Sequence, residues 1–450
     1  MLSAMLARLR KLRNRLVYLA PLLLAAPLGI ELTLRLFQPA SMDYYRAVKE
    51  LHVSHPDYLV GLAPNTQIFV RQHAGLWEGQ FTINSYGYRG TTEPDPARPQ
   101  IACLGDSLVM GFGVSDEETF CSRIDGIRLG ETSYQSVNLG VDAFGSRGYA
   151  LRLQEAVDRL NLKIVLLVVS PNDYAIPPAL AERGVRSDDE IDAQNEGDEF
   201  YPTMFAARFA LTRYSYLLHS LVIANQQLRI RAQLARNDSR LELIRAGVLS
   251  PDPGQPAEQE LDRGLVAYLR GVFYRPAVAP PNCGPEIAPA ESTEDAPVSG
   301  PQCPEPVPAG VQCQANEPDP ATLEPLMEIT RRYYAQMISL SRERGFRLVV
   351  VFMPIQNEVL YCEMNGRYSR FFDYALRARQ YFQNQGVPVL DLRSQVPGMC
   401  GEPVPEEPAR LSRISDYYIP GDGHLTRLGN AWAARALEHE LQNLANSNAL

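Results

Sequence analysis

Four stretches of this sequence place a chemically active residue type directly after an apolar run. Ser107 stands in Leu104-Gly105-Asp106-Ser107-Leu108, following Gln100 to Leu104. Gly140 closes Asn138-Leu139-Gly140, and Asn172 lies in Ser170-Pro171-Asn172-Asp173 after the run Ile164 to Ser170. His424 ends Gly421-Asp422-Gly423-His424, just ahead of a C-terminal helical pattern. A serine hydroxyl is a poor nucleophile until an imidazole takes its proton. A carboxylate beside that imidazole fixes its tautomer and stabilises the imidazolium. Converging amide donors stabilise the oxyanion formed when the hydroxyl adds to a carbonyl. Of the six histidines, His424 alone sits in a Gly/Asp loop near a strand end. The chemistry these parts could do together is acyl transfer from an ester to serine, and then to water.

Such residues need a scaffold that aims them at one point. The runs at Gln100 to Leu104, Ser136 to Leu139, Ile164 to Ser170, Arg347 to Met353 and Val387 to Leu392 are mostly Val, Ile and Leu without alternation. That is how strands buried on both faces of a parallel sheet read. Helical patterns lie between them, at Gly148 to Leu160, at Leu323 to Arg344 and from about Thr426 onward, where Ala434, Leu437, Leu441 and Leu444 share a face. The expected fold class is α/β, a three-layer α/β/α sandwich around a five-stranded, mainly parallel, flavodoxin-like sheet. In such sheets the site lies at the carboxyl ends of the strands.

The order Ser, Gly, Asn, then Asp and His resembles the four sequence blocks of the SGNH (GDSL) hydrolase family, across roughly residues 100 to 440 with one long insertion removed. The lead-in Asn84-Ser85-Tyr86-Gly87-Tyr88-Arg89 is also similar to that of bacterial membrane-anchored members. The resemblance implies Ser107 as nucleophile, His424 as general base and Asp422 as its orienting carboxylate. It implies an oxyanion hole built from the Ser107 and Gly140 backbone N–H groups and the Asn172 side chain, with no cofactor and no metal. One departure is visible. The commonest family block reads Asp-x-x-His, whereas here Gly421 stands three before His424 and Asp422 two before. This Asp-x-His spacing is similar to that of SGNH-like proteins of alginate O-acetylation, and Asp416 is the reserve acid.

The N-terminus adds a location. Arg8, Arg10, Lys11, Arg13 and Arg15 form a basic block, followed by a mostly apolar stretch from Leu16 to Phe37. As one helix, residues 16–37 would span about 33 Å, roughly a bilayer core. Glu31 and Arg35 sit one turn apart near its far end, where they can pair or snorkel. The basic block places the N-terminus in the cytoplasm and the remainder outside, as an uncleaved signal-anchor in the inner membrane. The rival, a cleaved signal peptide, lacks a small-x-small site, and Pro21 and Pro27 interrupt the run.

Composition narrows the partners. Net charge is −9, which argues against nucleic acid, since a phosphate backbone wants a basic face. Seven cysteines fit an exported compartment, and none stands at metal-binding spacing. Cys103, inside a buried strand, is expected to be an inert unpaired thiol. Gly111-Phe112-Gly113 fails as a dinucleotide fingerprint, because Asp116 stands where the third glycine belongs.

The expected organisation is a basic N-terminus over 1–15, an anchor over 16–37, a lead-in over 41–99 and a hydrolase domain in two parts, 100–179 and 326–450. Residues 180–325 form the insertion, with a helical cap near the site followed by a Pro-rich loop. The expected activity is a serine esterase, with an O-acyl group on an extracytoplasmic glycan as the substrate that the location suggests. The alternatives are a polysaccharide O-acetyltransferase using the same triad and a non-catalytic glycan-binding or assembly protein on the same fold.

Overall fold

The structure is a computed structural model. It describes residues 25–38, 40–72, 75–142, 144–170, 187–225, 317–354, 373–399, 403–404, 407–412, 414–419 and 423–447. Two of the expected site residues, Asn172 and Asp422, lie outside the described residues, as do the Pro-rich part of the insertion and residues 16–24 of the expected anchor. Among the described residues no helix is long and apolar enough to cross a membrane.

The chain divides into two compact units. The larger one, which holds Leu51–Asp198 and Gly254–Leu450, is the α/β domain. Its sheet contains β1 (Gln100–Leu104), β2 (Gln135–Asn138), β3 (Leu162–Val169), β4 (Arg347–Phe352) and β5 (Val389–Asp391). The spatial order is β2-β1-β3-β4-β5, with every neighbouring pair parallel. The sheet is thus wholly parallel rather than mainly so. Its order is the flavodoxin-like one, whose topological switch point lies between β1 and β3. All of β1 is buried, and β3 and β4 expose only Lys163 and Arg347, so both sheet faces are covered by protein.

The helical layers come from α2 (Ser107–Met110), α3 (Phe120–Arg123), α4 (Ser146–Val157), α5 (Asp188–Asn195), α7 (Glu328–Arg344), α8 (Asp373–Asn384) and α9 (Arg427–Asn446). Two further helices, α1 (Ala40–Leu51) and α6 (Tyr201–Tyr214), run mostly or wholly in the smaller unit. On one sheet face Ile101, Cys103, Leu166, Val168, Val349 and Val351 pack with Phe120, Trp432, Leu437 and Leu441 of α3 and α9. Asn430 joins these two helices, its Oδ1 accepting the Phe120 N–H at 2.9 Å. On the other side α4 packs with α7, and Tyr334 of α7 meets Phe382 of α8 with ring centroids 4.6 Å apart.

Cys103 is not the inert thiol expected from its place in a strand. It is bonded to Cys121, 18 positions further along the chain, with Cα atoms 6.1 Å apart. Side chains alternate along a strand, and Cys103 points to the face that α3 covers, which brings Cys121 opposite it. Nothing in the linear pattern announces the four-residue α3.

The lead-in forms two antiparallel hairpins, His52–His55 with Leu59–Leu62 and Thr66–Arg71 with Glu78–Ile83. Arg89 fastens this region to the domain. Its Nε lies 2.6 Å from Asp116 Oδ1, both side chains are buried, and its Nη atoms donate to the carbonyls of Gln80, Val114 and Met110. The guanidinium also stacks on Phe81, 3.7 Å from the ring centroid. A buried arginine survives only when its donors are satisfied this fully.

The described helices of the insertion divide between the two units. Residues 201–225 belong with residues 25–50 in the smaller unit. The preceding α5 stays with the α/β domain. There Asp189 is buried and accepts hydrogen bonds from the Ser146 N–H and Oγ, at the start of α4, and from Thr330. Burial raises its carboxyl above the ordinary range.

Candidate active site

The buried strand β1 ends at Leu104, and the chain turns at Gly105 into α2. A side chain at Gly105 would come within 2.4 Å of Val109 Cγ2 and 3.2 Å of the Val168 carbonyl, so the turn is closed to anything larger. Asp106 caps α2, its Oδ1 accepting the Leu108 N–H at 2.9 Å. That cap leaves Ser107 as the first helical residue, at the carboxyl edge of the sheet beside the switch point. The helix is stopped after one turn by Gly111, whose φ of 75° is left-handed.

His424 arrives from the far end of the chain. The loop that carries it is pinned on both sides: the Ile419 N–H donates to the His424 carbonyl at 2.7 Å, and Leu425 bridges Tyr418. Thr426 then caps α9 by accepting the Gly429 N–H at 3.2 Å, and donates its hydroxyl to the Asp416 carbonyl at 2.6 Å. So held, His424 Nε2 lies 2.7 Å from Ser107 Oγ. In the neutral tautomer protonated at Nδ1, Nε2 accepts the serine proton, which is the geometry a general base needs. Phe112 stands 5.5 Å from the imidazole, ring centroid to ring centroid, and is backed by Trp77 and Phe81 of the lead-in. The lead-in thus walls one side of the site.

Gly140 sits against α2, the short helix that starts at Ser107. A Cβ there would fall 2.2 Å from the Met110 nitrogen, so only glycine lets the loop after β2 lie against α2. The Val141 N–H reaches the Gly105 carbonyl at 3.2 Å. The Gly140 N–H donates to Asn138 Oδ1 at 3.0 Å, while Asn138 Nδ2 donates to the Val109 carbonyl at 2.7 Å. Asn138 therefore engages the very amide expected to serve an oxyanion, and ties its loop to the helix that bears Ser107. Asp416, the reserve acid, lies in the turn Ile414–Tyr417, where its backbone carbonyl holds Thr426.

A second histidine–carboxylate pair escaped the sequence reading. His52 Nε2 is hydrogen-bonded to Asp142 Oδ1, two residues beyond Gly140 in the same loop. Burial pushes the Asp142 carboxyl up, but the charge and hydrogen bond of His52, aided by His424, hold it below its ordinary value. The available signal was positional: Asp142 follows a predicted strand just as Ser107 and Asn172 do. Its partner, from the lead-in, could not be read from spacing. Among the described residues no group of three or more His, Cys, Asp or Glu side chains is arranged to hold a metal ion.

No family model matches the chain, and no curated protein matches it.

Proposed function

We propose that this chain is an SGNH-type serine esterase that cleaves an ester through an acyl-serine. The observation that carries the reading is the 2.7 Å contact between Ser107 Oγ and His424 Nε2 at the carboxyl edge of a parallel sheet. As Ser107 attacks the ester carbonyl, its proton passes to His424 Nε2. The tetrahedral oxyanion collapses, and the imidazolium returns the proton to the leaving alcohol. Water activated by the same imidazole then releases the acid and restores the serine. Asn172 and the Ser107 N–H are the assigned oxyanion donors. Gly140 joins them if its N–H swings from Asn138 Oδ1 toward the substrate. Asp422 is the assigned orienting acid of His424.

The basic block and apolar run at the N-terminus support an inner-membrane signal-anchor with the catalytic domain outside the cytoplasm. That location supports an acylated extracytoplasmic glycan as substrate. A fluorophosphonate probe tests the catalytic reading. Labelling should map to Ser107 and vanish in Ser107→Ala; a folded protein that stays unlabelled would sink it. Incubation with an acyl ester and a glycan acceptor reads hydrolysis against transfer. Free acid without acylated glycan supports the esterase, and transfer without free acid replaces it with an acyltransferase.

A further inference from the structure

The smaller unit shows what Glu31 and Arg35 do in an otherwise apolar segment. Residues 25–37 are helical, and the turn between α6 and the helical residues 216–225 sits against them. Glu31 accepts the Tyr216 N–H at 3.0 Å, the Leu217 N–H at 2.8 Å and the Ser215 hydroxyl at 2.9 Å, capping the start of the second helix. Arg35 donates to Glu31 at 2.7 Å and to the carbonyl of Tyr214, the last residue of α6. Thr33, the remaining polar side chain of 25–37, donates to the Gly29 carbonyl at 2.8 Å. Every polar side chain of this stretch is thus satisfied within the protein, the condition that a hydrocarbon surrounding imposes.

The exposed apolar side chains spread around the helix. At 100° per residue, Leu28, Leu32 and Leu36 lie on one side of this helix and Ile30 and Phe37 on nearly the opposite side, and all five are exposed. A protein partner covers one face of a helix, whereas lipid covers all that is left open. The hairpin carries the same character onward: Met204, Leu211, Leu218 and Leu221 are exposed and line an apolar groove between its two helices. Beside the hairpin, Lys49 lies among Arg46, Arg208 and Arg213, a cationic cluster suited to phosphate headgroups.

We propose that residues 200–225 are a membrane-embedded hairpin, docked on the anchor helix by Glu31 and Arg35, with the apolar groove immersed in the outer leaflet of an anionic phospholipid bilayer. The inference rests on the reading of residues 16–37 as a membrane anchor. It makes the helical half of the insertion a second foot on the lipid.

The test uses the full chain in vesicles of phosphatidylcholine and phosphatidylglycerol, with and without bromine-labelled acyl chains that quench tryptophan. The native Trp77 and Trp432 are buried and set a low background. Leu28→Trp reports on the anchor, and Leu211→Trp and Met204→Trp report on the hairpin. The expected result is quenching of all three by about twofold or more relative to the unsubstituted chain. Quenching of Leu28→Trp alone overturns the hairpin proposal and leaves the anchor standing. Quenching of none in vesicle-bound protein overturns both. Hairpin tryptophans shielded from lipid in a chain that cross-links to a second copy would make the groove an interface between copies, and also overturn the proposal.

Discussion

Ser107 Oγ and His424 Nε2 lie 2.7 Å apart although 317 positions separate them in the chain. Each is held by its own cap: Asp106 at the start of α2, and the Ile419 and Thr426 contacts around the histidine loop. Two groups that act as one unit lose their effect together. Ser107→Ala and His424→Ala should each lower ester turnover by about 10⁴-fold or more, and the double variant should be no worse than either alone. Thermal melts should remain close to the parent's. Additive losses in the double variant would mean that the two side chains do not work as a pair.

Arg89 and Asp116 should dominate the stability of the lead-in. Removing one partner of a buried ion pair strands the other charge, at a cost of about 3–5 kcal/mol. Arg89→Met is therefore expected to reduce unfolding free energy by that order in urea titration. Because Arg89 also holds the Met110 and Val114 carbonyls on either side of Gly111, turnover should fall as well.

Gly140→Ala should be costly for so small a change. Its Cβ would meet the Met110 nitrogen at 2.2 Å, and backbone on both sides must move. Overpacking of this kind costs about 1–3 kcal/mol. The displaced element is the helix bearing Ser107, so the catalytic rate should drop more than substrate affinity changes. A Gly140→Ala enzyme with parental kinetics would remove the close approach as a constraint.

The disulfide closes a loop of 18 positions, for which chain entropy gives about 3 kcal/mol. The paired change Cys103→Ala with Cys121→Ala should lower stability by about 2–4 kcal/mol, and a reductant should have the same effect on the parent but none on the variant. Differential scanning calorimetry with and without reductant separates these outcomes.

Asp142 provides a pH signature. Its carboxyl is held below the ordinary value, so the folded state binds this proton more weakly than the unfolded chain. The stability it contributes is therefore present above the ordinary carboxylate range and lost as pH falls through the depressed value. Asp142→Asn should destabilise at neutral pH and progressively less in acid. The Asp142 carboxylate also interacts electrostatically with His424. Ester turnover of Asp142→Asn that matches the parent's at every pH would separate Asp142 from the histidine.

Much of the scaffold was legible in the sequence because its strands are nearly unbroken runs of Val, Ile and Leu. Burial on both faces leaves no other reading for IVLLVVS between two helical patterns. Ser107 and His424 could be picked out as candidates as well, since glycine-rich turns at strand ends aim side chains at a sheet edge. What local pattern could not supply was partnership across the fold. The bond of Cys103 to Cys121 depends on α3, a helix too short to show periodicity. The pairing of His52 with Asp142 depends on where the lead-in packs. In sequence Asn138 reads only as the end of a strand, and its hold on the Gly140 N–H and the Val109 carbonyl appears only when β2 and α2 lie side by side.

By itself, then, the sequence determined the element types, the nucleophile and base candidates, and an apolar N-terminal stretch interrupted by Glu31 and Arg35. Those properties are written in neighbouring residues, through hydrophobic period and turn chemistry. Tertiary structure decided the distances that turn residue types into chemistry: serine to histidine, aspartate to the second histidine, cysteine to cysteine. It also decided that the two N-terminal charges reach across to cap helices of the insertion rather than simply pair with each other. Contacts between residues on separate elements, whether 18, 90 or 317 positions apart, depend on how whole elements pack, and no local pattern carries that information.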